Sequence, residues 1–164
     1  MSGKLLTVLV LAALLVGGCG NPAGPDSGEA RSEAQAMKDY LLGRNLPTLR
    51  DVELWDGPAG QGLILHTSHY QIHTTLLDPL MLSEVPSFME AAYRGYNNQL
   101  PEPLTTHSPF KIYLFATRQQ WEDFTDDFAG SEAPMYKRIK AGAYYLNDAC
   151  VAYNIGRERT FSVL

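Results

Sequence analysis

The chain has 164 residues, with 18 acidic against 13 basic side chains and a formal net charge of −5. That length is one domain's worth, and an acidic chain with no block of basic residues excludes a nucleic-acid role built on phosphate contacts. There are two cysteines, Cys19 and Cys150, so an intramolecular disulfide framework is excluded if either is otherwise engaged.

The first element is a targeting segment. Lys4 gives a short positive start, and residues 5–16 form an apolar run. The run is shorter than the ~20 residues of a bilayer-spanning helix and suits the core of a signal peptide. Leu15-Val16-Gly17-Gly18-Cys19 resembles a lipobox, the site read by the lipoprotein signal peptidase. The resemblance implies cleavage after Gly18, a diacylglyceryl thioether on Cys19 and further acylation of the new amino terminus. One acyl chain anchors only marginally, at about 0.8 kcal/mol per buried methylene, whereas two or three hold firmly. The membrane is thus the first expected partner, through lipid on Cys19. Gly20 and Asn21 lack the aspartate that retains such proteins at the inner membrane, which favours the outer membrane of the cell envelope. The alternatives are a plain signal peptide with a chance cysteine and an uncleaved helix.

Residues 21–28 are rich in Pro, Gly and Ser and read as a tether. The expected division is a signal peptide over 1–18, a lipidated tether over 19–28, a helix-and-strand region over 29–67 and a larger unit over 68–164. Residues 29–42 hold good helix formers, with Met37, Tyr40 and Leu41 on one face and Gly43 at the end. Val52, Leu54 and Trp55 suggest a short strand, and 60–62 a break. Residues 63–66 and 70–75 read as strands by their β-branched and aromatic content. Pro79 opens a helix whose apolar face is Val85, Phe88, Met89, Ala92, Tyr93 and Tyr96. Residues 110–115 alternate as a strand. Thr117 and Gln120 then fit a capping box for a helix buried through Trp121, Phe124 and Phe128, closed by Gly130. Residues 143–146 and 150–154 read as a hairpin turning at Asn147-Asp148. Thr160 looks like the cap of one more helix, with Phe161, Val163 and Leu164 in its first turn. This order predicts an α+β domain with a mostly antiparallel sheet and packed helices.

The chain has no H-E-x-x-H, no G-x-S-x-G and no glycine-rich phosphate loop. His69 and His73 have the spacing of a helical ligand pair. Their surroundings favour a strand, which would set them ~13 Å apart, too far to share a metal. His66 and His107 have no partner that the sequence identifies. Glu122-Asp123 and Asp126-Asp127 read as solvated charge. Cys150 reads as a buried structural thiol. Tyr144, Tyr145 and Tyr153 divide between core and surface, and core packing is favoured over a sugar- or peptide-binding face.

Several segments resemble one family. They are Ser68-His69-Tyr70-x-Ile72-His73-Thr74-Thr75, Ala91-Ala92-Tyr93-x-x-Tyr96 and Ile112-x-Leu114-Phe115-Ala116-Thr117-Arg118. Then come Arg138-Ile139-Lys140-Ala141-Gly142-Ala143-Tyr144 and Cys150-Val151-Ala152-Tyr153-Asn154-Ile155-Gly156-Arg157, running into Thr160-Phe161-Ser162-Val163-Leu164. In this order, over 68–164, they resemble the region ahead of the metal site in bacterial lipoproteins of the gluzincin-like (peptidase-MA-like) zinc metallopeptidases. Many of these are known only as a domain of unknown function. The resemblance implies that Cys150, Val151, Ala152, Tyr153 and Asn154 form an edge strand able to pair with an extended peptide substrate. It also implies that this strand leads toward the helix bearing H-E-x-x-H, and so that the domain of 68–164 is incomplete.

No position here matches a ligand or general base, so no catalytic residue, metal ligand or cofactor is assigned to the chain, and zinc is expected only in a longer form. The expected function is a membrane-anchored lipoprotein forming the N-terminal part of a zinc-dependent peptidase-like protein, inactive as it stands. The alternative is a non-catalytic envelope lipoprotein that binds a peptide, glycan or protein partner.

Overall fold

The computed structural model describes residues 27–164, with side-chain surroundings from residue 33 onward. The signal segment, its cleavage point after Gly18 and the lipid site at Cys19 lie outside the described residues. Among those described, no helix is long and apolar enough to cross a membrane.

The elements are α1 (Ser27–Leu42), β1 (Asp51–Gly57), β2 (Gly60–His66), β3 (Tyr70–Thr74), α2 (Pro79–Asn97) and β4 (Phe110–Phe115). They continue as α3 (Arg118–Ala129), α4 (Ala133–Tyr136), β5 (Ala143–Leu146), β6 (Ala149–Tyr153) and α5 (Arg157–Val163). The fold is α+β. Six strands make one mixed sheet in the order β1-β2-β3-β4-β6-β5. Three of its pairings are antiparallel, while β3–β4 and β4–β6 are parallel. The expected boundary between residues 67 and 68 falls in the turn joining β2 to β3, so the two regions it separated share one sheet.

Strand alternation divides the core in two. Val52, Leu65, Ile72, Ile112, Leu114 and Ala152 point to one face, packed with Ala34 and Leu41 of α1 and Met81, Leu82, Val85 and Met89 of α2. Phe115, Val151, Tyr144 and Tyr153 point to the other, against Trp121 and Phe124 of α3. Thr117 accepts from the backbone of Gln120 and Gln120 reaches back to Thr117, so the capping box is formed. Gly130, at φ 52°, ends α3 as expected.

Three local readings are corrected. Residues 60–62 are not a break: β1 and β2 pair over their whole length, from Asp51 with His66 to Gly57 with Gly60, and the chain turns at Pro58-Ala59. Gly62 sits inside β2 because the backbone of β3 is too close for a side chain: a Cβ there would lie 1.9 Å from the Thr74 carbonyl oxygen. The buried face of α2 begins a turn earlier than expected, at Met81 and Leu82, and leaves Phe88 and Tyr96 exposed. Finally, α5 starts at Arg157, not after Thr160. Thr160 is buried inside it, accepting from the Ile155 N–H and bonding Asn154.

Two glycine substitutions should separate these effects. Gly62→Ala should cost about 3 kcal/mol, the upper range for forced overpacking. Gly95→Ala, with open space around it in α2, should instead stabilise by about 0.5–1 kcal/mol. Urea unfolding monitored by tryptophan fluorescence measures both.

Candidate functional site

The sheet has two free edges. β1 carries Asp51, Glu53 and Asp56 along its length, and such charges discourage a further strand from pairing. β5, Ala-Tyr-Tyr-Leu, carries none. The strand singled out by the sequence, Cys150 to Asn154, is not an edge. As β6 it ends at Tyr153 and is paired on both sides, with β4 and with β5. Asn154 follows it, donating its N–H to the Phe115 carbonyl. The hairpin was legible, but its members exchange roles, because β6 runs parallel to β4 and only the returning strand is left outside.

Asn147 and Asp148 turn the hairpin with φ of 49° and 58°, the two left-handed residues of a type I′ turn. Such a loop closes on a hydrogen-bonded pair, here Leu146 with Ala149. Tyr144 and Leu146 therefore direct their main-chain groups to β6. Ala143 and Tyr145 direct theirs outward, where a peptide main chain could meet them.

Beside this edge lies a trough. Tyr70, Met89, Phe110, Lys111, Ile112, Cys150 and Leu164 line a cavity of about 170 Å³. Thr106, His107, Ser108 and Pro109 line an adjoining one of about 310 Å³, and Phe110, Tyr145 and Asp148 belong to both. Cavities near 150 Å³ with apolar walls accept groups the size of benzene. Of the three hairpin tyrosines, Tyr144 and Tyr153 are buried, whereas Tyr145 is 64% exposed at the trough, its hydroxyl donating to Asp148. Cys150 is partly buried in the wall, and burial pushes its thiol pKa up. That keeps it protonated and slow to react.

The expectation missed a second cluster, where the bend before β3 meets α2. Glu90 is only 4% exposed, on the otherwise apolar face of α2. One carboxylate oxygen accepts from the Thr67 hydroxyl at 2.7 Å and the His69 N–H at 2.9 Å, and the other contacts His69 Nδ1 at 2.8 Å. Burial alone would raise its pKa, but the hydrogen bonds from His69 and Thr67 outweigh that and lower it below the usual carboxylate value. An ionised carboxylate can only accept, so the His69 ring proton sits on Nδ1. The ring stacks on Tyr93, with centroids 3.7 Å apart and planes at 16°. The signal in sequence was a lone glutamate at the core-facing position beside Met89.

His69 and His73 also part company. His69 precedes β3 in a bend and turns to α2, whereas His73 lies between Trp55 and Tyr113 on the α3 side. Both ring nitrogens of His73 are buried without partners. Burial first, then the charge of Lys111, lowers its pKa to about 4. Among the described residues no three His, Cys, Asp or Glu side chains are placed to hold a metal ion. The described residues therefore supply no ligand set for zinc. No protein-family model, curated protein or solved structure matches the chain.

Acid should act on this region in two windows. Unfolded, His73 takes up a proton near its ordinary 6.5, and folded, only near 4. The unfolded state then binds more protons between those values, so stability falls as pH drops through them. Glu90 is the other case: its contribution is present above the ordinary 4.5 and is lost as pH falls further. Urea midpoints from pH 8 to 3 should show both slopes. His73→Phe should flatten the upper one. Glu90→Gln should lower stability at pH 7 by about 2 kcal/mol, the scale of hydrogen bonds to a charged group, and narrow the gap to wild type in acid.

Proposed function

We propose that the chain is a lipid-anchored protein of the cell envelope, at the outer rather than the inner membrane, held by acyl chains on Cys19. Its domain is the sheet-bearing part of a zinc-metallopeptidase-like protein and holds an extended peptide along β5. The observation that carries this reading is the uncharged free edge of β5 beside a trough with mainly apolar walls, into which Lys111 and Asp148 also reach. The resemblance put the peptide-pairing strand at Cys150 to Asn154, and the reading moves that role to the neighbouring strand β5, which stands outside it. Peptide binding by strand addition draws affinity from main-chain hydrogen bonds and specificity from alternate side-chain pockets. Hydrolysis is not assigned to any described residue. The same edge would serve the alternative, a non-catalytic envelope protein that retains a peptide segment of a partner.

Lipidation is tested by metabolic labelling with an alkyne-bearing fatty acid. Label should appear on the protein in the membrane fraction and vanish in Cys19→Ser, and label persisting in that variant would refute the anchor.

Peptide binding is tested with a dye-labelled heptapeptide alternating leucine and threonine. Tyr145→Pro removes an outward N–H without touching the ladder to β6 and should weaken binding at least ~10-fold, a loss of about 1.4 kcal/mol. Tyr145→Phe, which keeps that N–H, should bind within ~2-fold of wild type. Equal affinity of the two variants would rule out strand addition at β5. Intact peptide recovered after binding favours the non-catalytic alternative, and cleavage the peptidase-like one.

A further inference from the structure

We propose that the pocket of about 170 Å³ beside Tyr145 anchors one bulky apolar side chain, that of the peptide residue paired with Tyr145, so that the partner is a peptide with leucine, methionine or phenylalanine at that position. The proposal rests on the reading of β5 as a peptide-pairing edge.

Strand alternation places the pocket. Ala143 and Tyr145 turn their side chains to the face of the sheet that α2 covers, and Tyr144 and Leu146 turn theirs to the other. Tyr145 pairs with Cys150, and Cys150 with Ile112. Paired residues share a face, so these three side chains form a row across the sheet. Met89 of α2, Phe110 and Leu164 close the cavity around that row. A strand added outside β5 lengthens the row by one place. Its residue opposite Tyr145 sends its side chain to the same face, and the residues on either side of it point away. One side chain is thus singled out. The residue two places on, toward the Asn147-Asp148 turn, meets the adjoining cavity of Thr106, His107 and Ser108 instead.

Size and polarity select that side chain. Met89 is 4% and Ile112 3% exposed, and a protonated Cys150 behaves as a small apolar group, so the depth of the pocket is apolar. Lys111 and Asp148 also reach it, but both are exposed residues, which puts their charges at the mouth. There Asp148 accepts from the Tyr145 hydroxyl. A charged side chain pushed past them would be buried without a partner, at a cost greater than burial returns. Alanine would leave the cavity unfilled and its walls without contacts. A cavity of this volume takes a benzene-sized group, which is the bulk of a leucine, methionine or phenylalanine side chain. A free acyl chain would suit the walls equally but offers nothing to the outward main-chain groups of Ala143 and Tyr145. A peptide supplies both at once.

The test titrates the full-length protein in lipid nanodiscs with two dye-labelled heptapeptides, the leucine–threonine one and its counterpart with alanine for leucine. Wild type should bind the alanine peptide at least ~10-fold more weakly, the lower range for losing a buried leucine side chain. Cys150→Met fills the pocket from β6, and Leu164→Phe fills it from the end of α5. Each should narrow the preference to ~2-fold or less, the coupling expected of groups that share one cavity. The two substitutions lie on different elements, so misfolding of one leaves the other as the test. A third readout needs no variant. Alkylation of Cys150 by N-ethylmaleimide, followed by mass spectrometry, should slow at least ~3-fold when the leucine peptide is bound, because its side chain denies access to the thiol. The alanine peptide at equal occupancy should leave the rate unchanged.

Equal affinity of wild type for the two peptides, a preference unchanged in both variants, or Cys150 alkylated at the same rate with the leucine peptide bound overturns the pocket and leaves strand addition at β5 standing. Failure of both peptides to bind overturns the peptide reading and the pocket with it.

Discussion

The parallel run β3–β4–β6 constrains everything else. Parallel neighbours cannot be joined by a hairpin, so each needs a crossover that leaves the sheet and packs over it. Here α2 makes the first crossover and covers one face, while α3 and α4 precede the β5–β6 hairpin and cover the other. The centre of the sheet is thereby buried on both sides, as parallel strands require. Antiparallel pairing is pushed to the flanks, where β1–β2 and β5 close the sheet with tight turns. The free edges are therefore a consequence of the crossovers, and β6, as a central parallel strand, could not have been one of them.

The same crossover explains why a carboxylate is buried. α2 must lie against the turn that starts β3, and that turn exposes a hydroxyl and an N–H, from Thr67 and His69. A wholly apolar helix face would leave them without partners, at about 1–3 kcal/mol each. Glu90 satisfies both and also holds the His69 ring. Desolvating a charge is costly, and what offsets it here is three donors converging on one carboxylate. The result is a joint between α2 and β3 in which the His69 ring is held by Glu90 and stacked on Tyr93.

Much of this was legible in the sequence. The capping box at Thr117 and the alternation of residues 110–115 are local signals, and they fell where expected. So did the Asn147-Asp148 turn, because only a few residue types tolerate two successive left-handed positions. What failed was non-local. Gly62 looked like punctuation because nothing nearby in sequence reveals the Thr74 carbonyl against it. Tyr96 continued the helical period of α2 but ran past the end of the sheet beneath it. His69 and His73 shared a spacing, and a bend before β3 sent them to opposite faces. Glu90 was overlooked for a related reason: periodicity counts apolar residues, and a buried charge appears in it only as a gap.

The two edges show how such a gap can be informative. Each strand end of a sheet is a template for unwanted pairing, and charged side chains along an edge are a common remedy. β1 is long and carries three acids, so the remedy is in place. β5 has only four residues, and shortness is its protection against aggregation. Shortness does not prevent pairing with a peptide already held by its side chains, because two outward main-chain positions, Ala143 and Tyr145, still align with the trough wall. An edge guarded by length rather than charge excludes flat sheets yet admits a single extended segment. On the peptide-binding reading proposed above, the trough walls, Met89, Phe110 and Ile112 among them, would decide which segment is retained. The trough depends on where the connection 98–109 lies, and so on the tie between the Tyr93 hydroxyl and the Leu104 carbonyl.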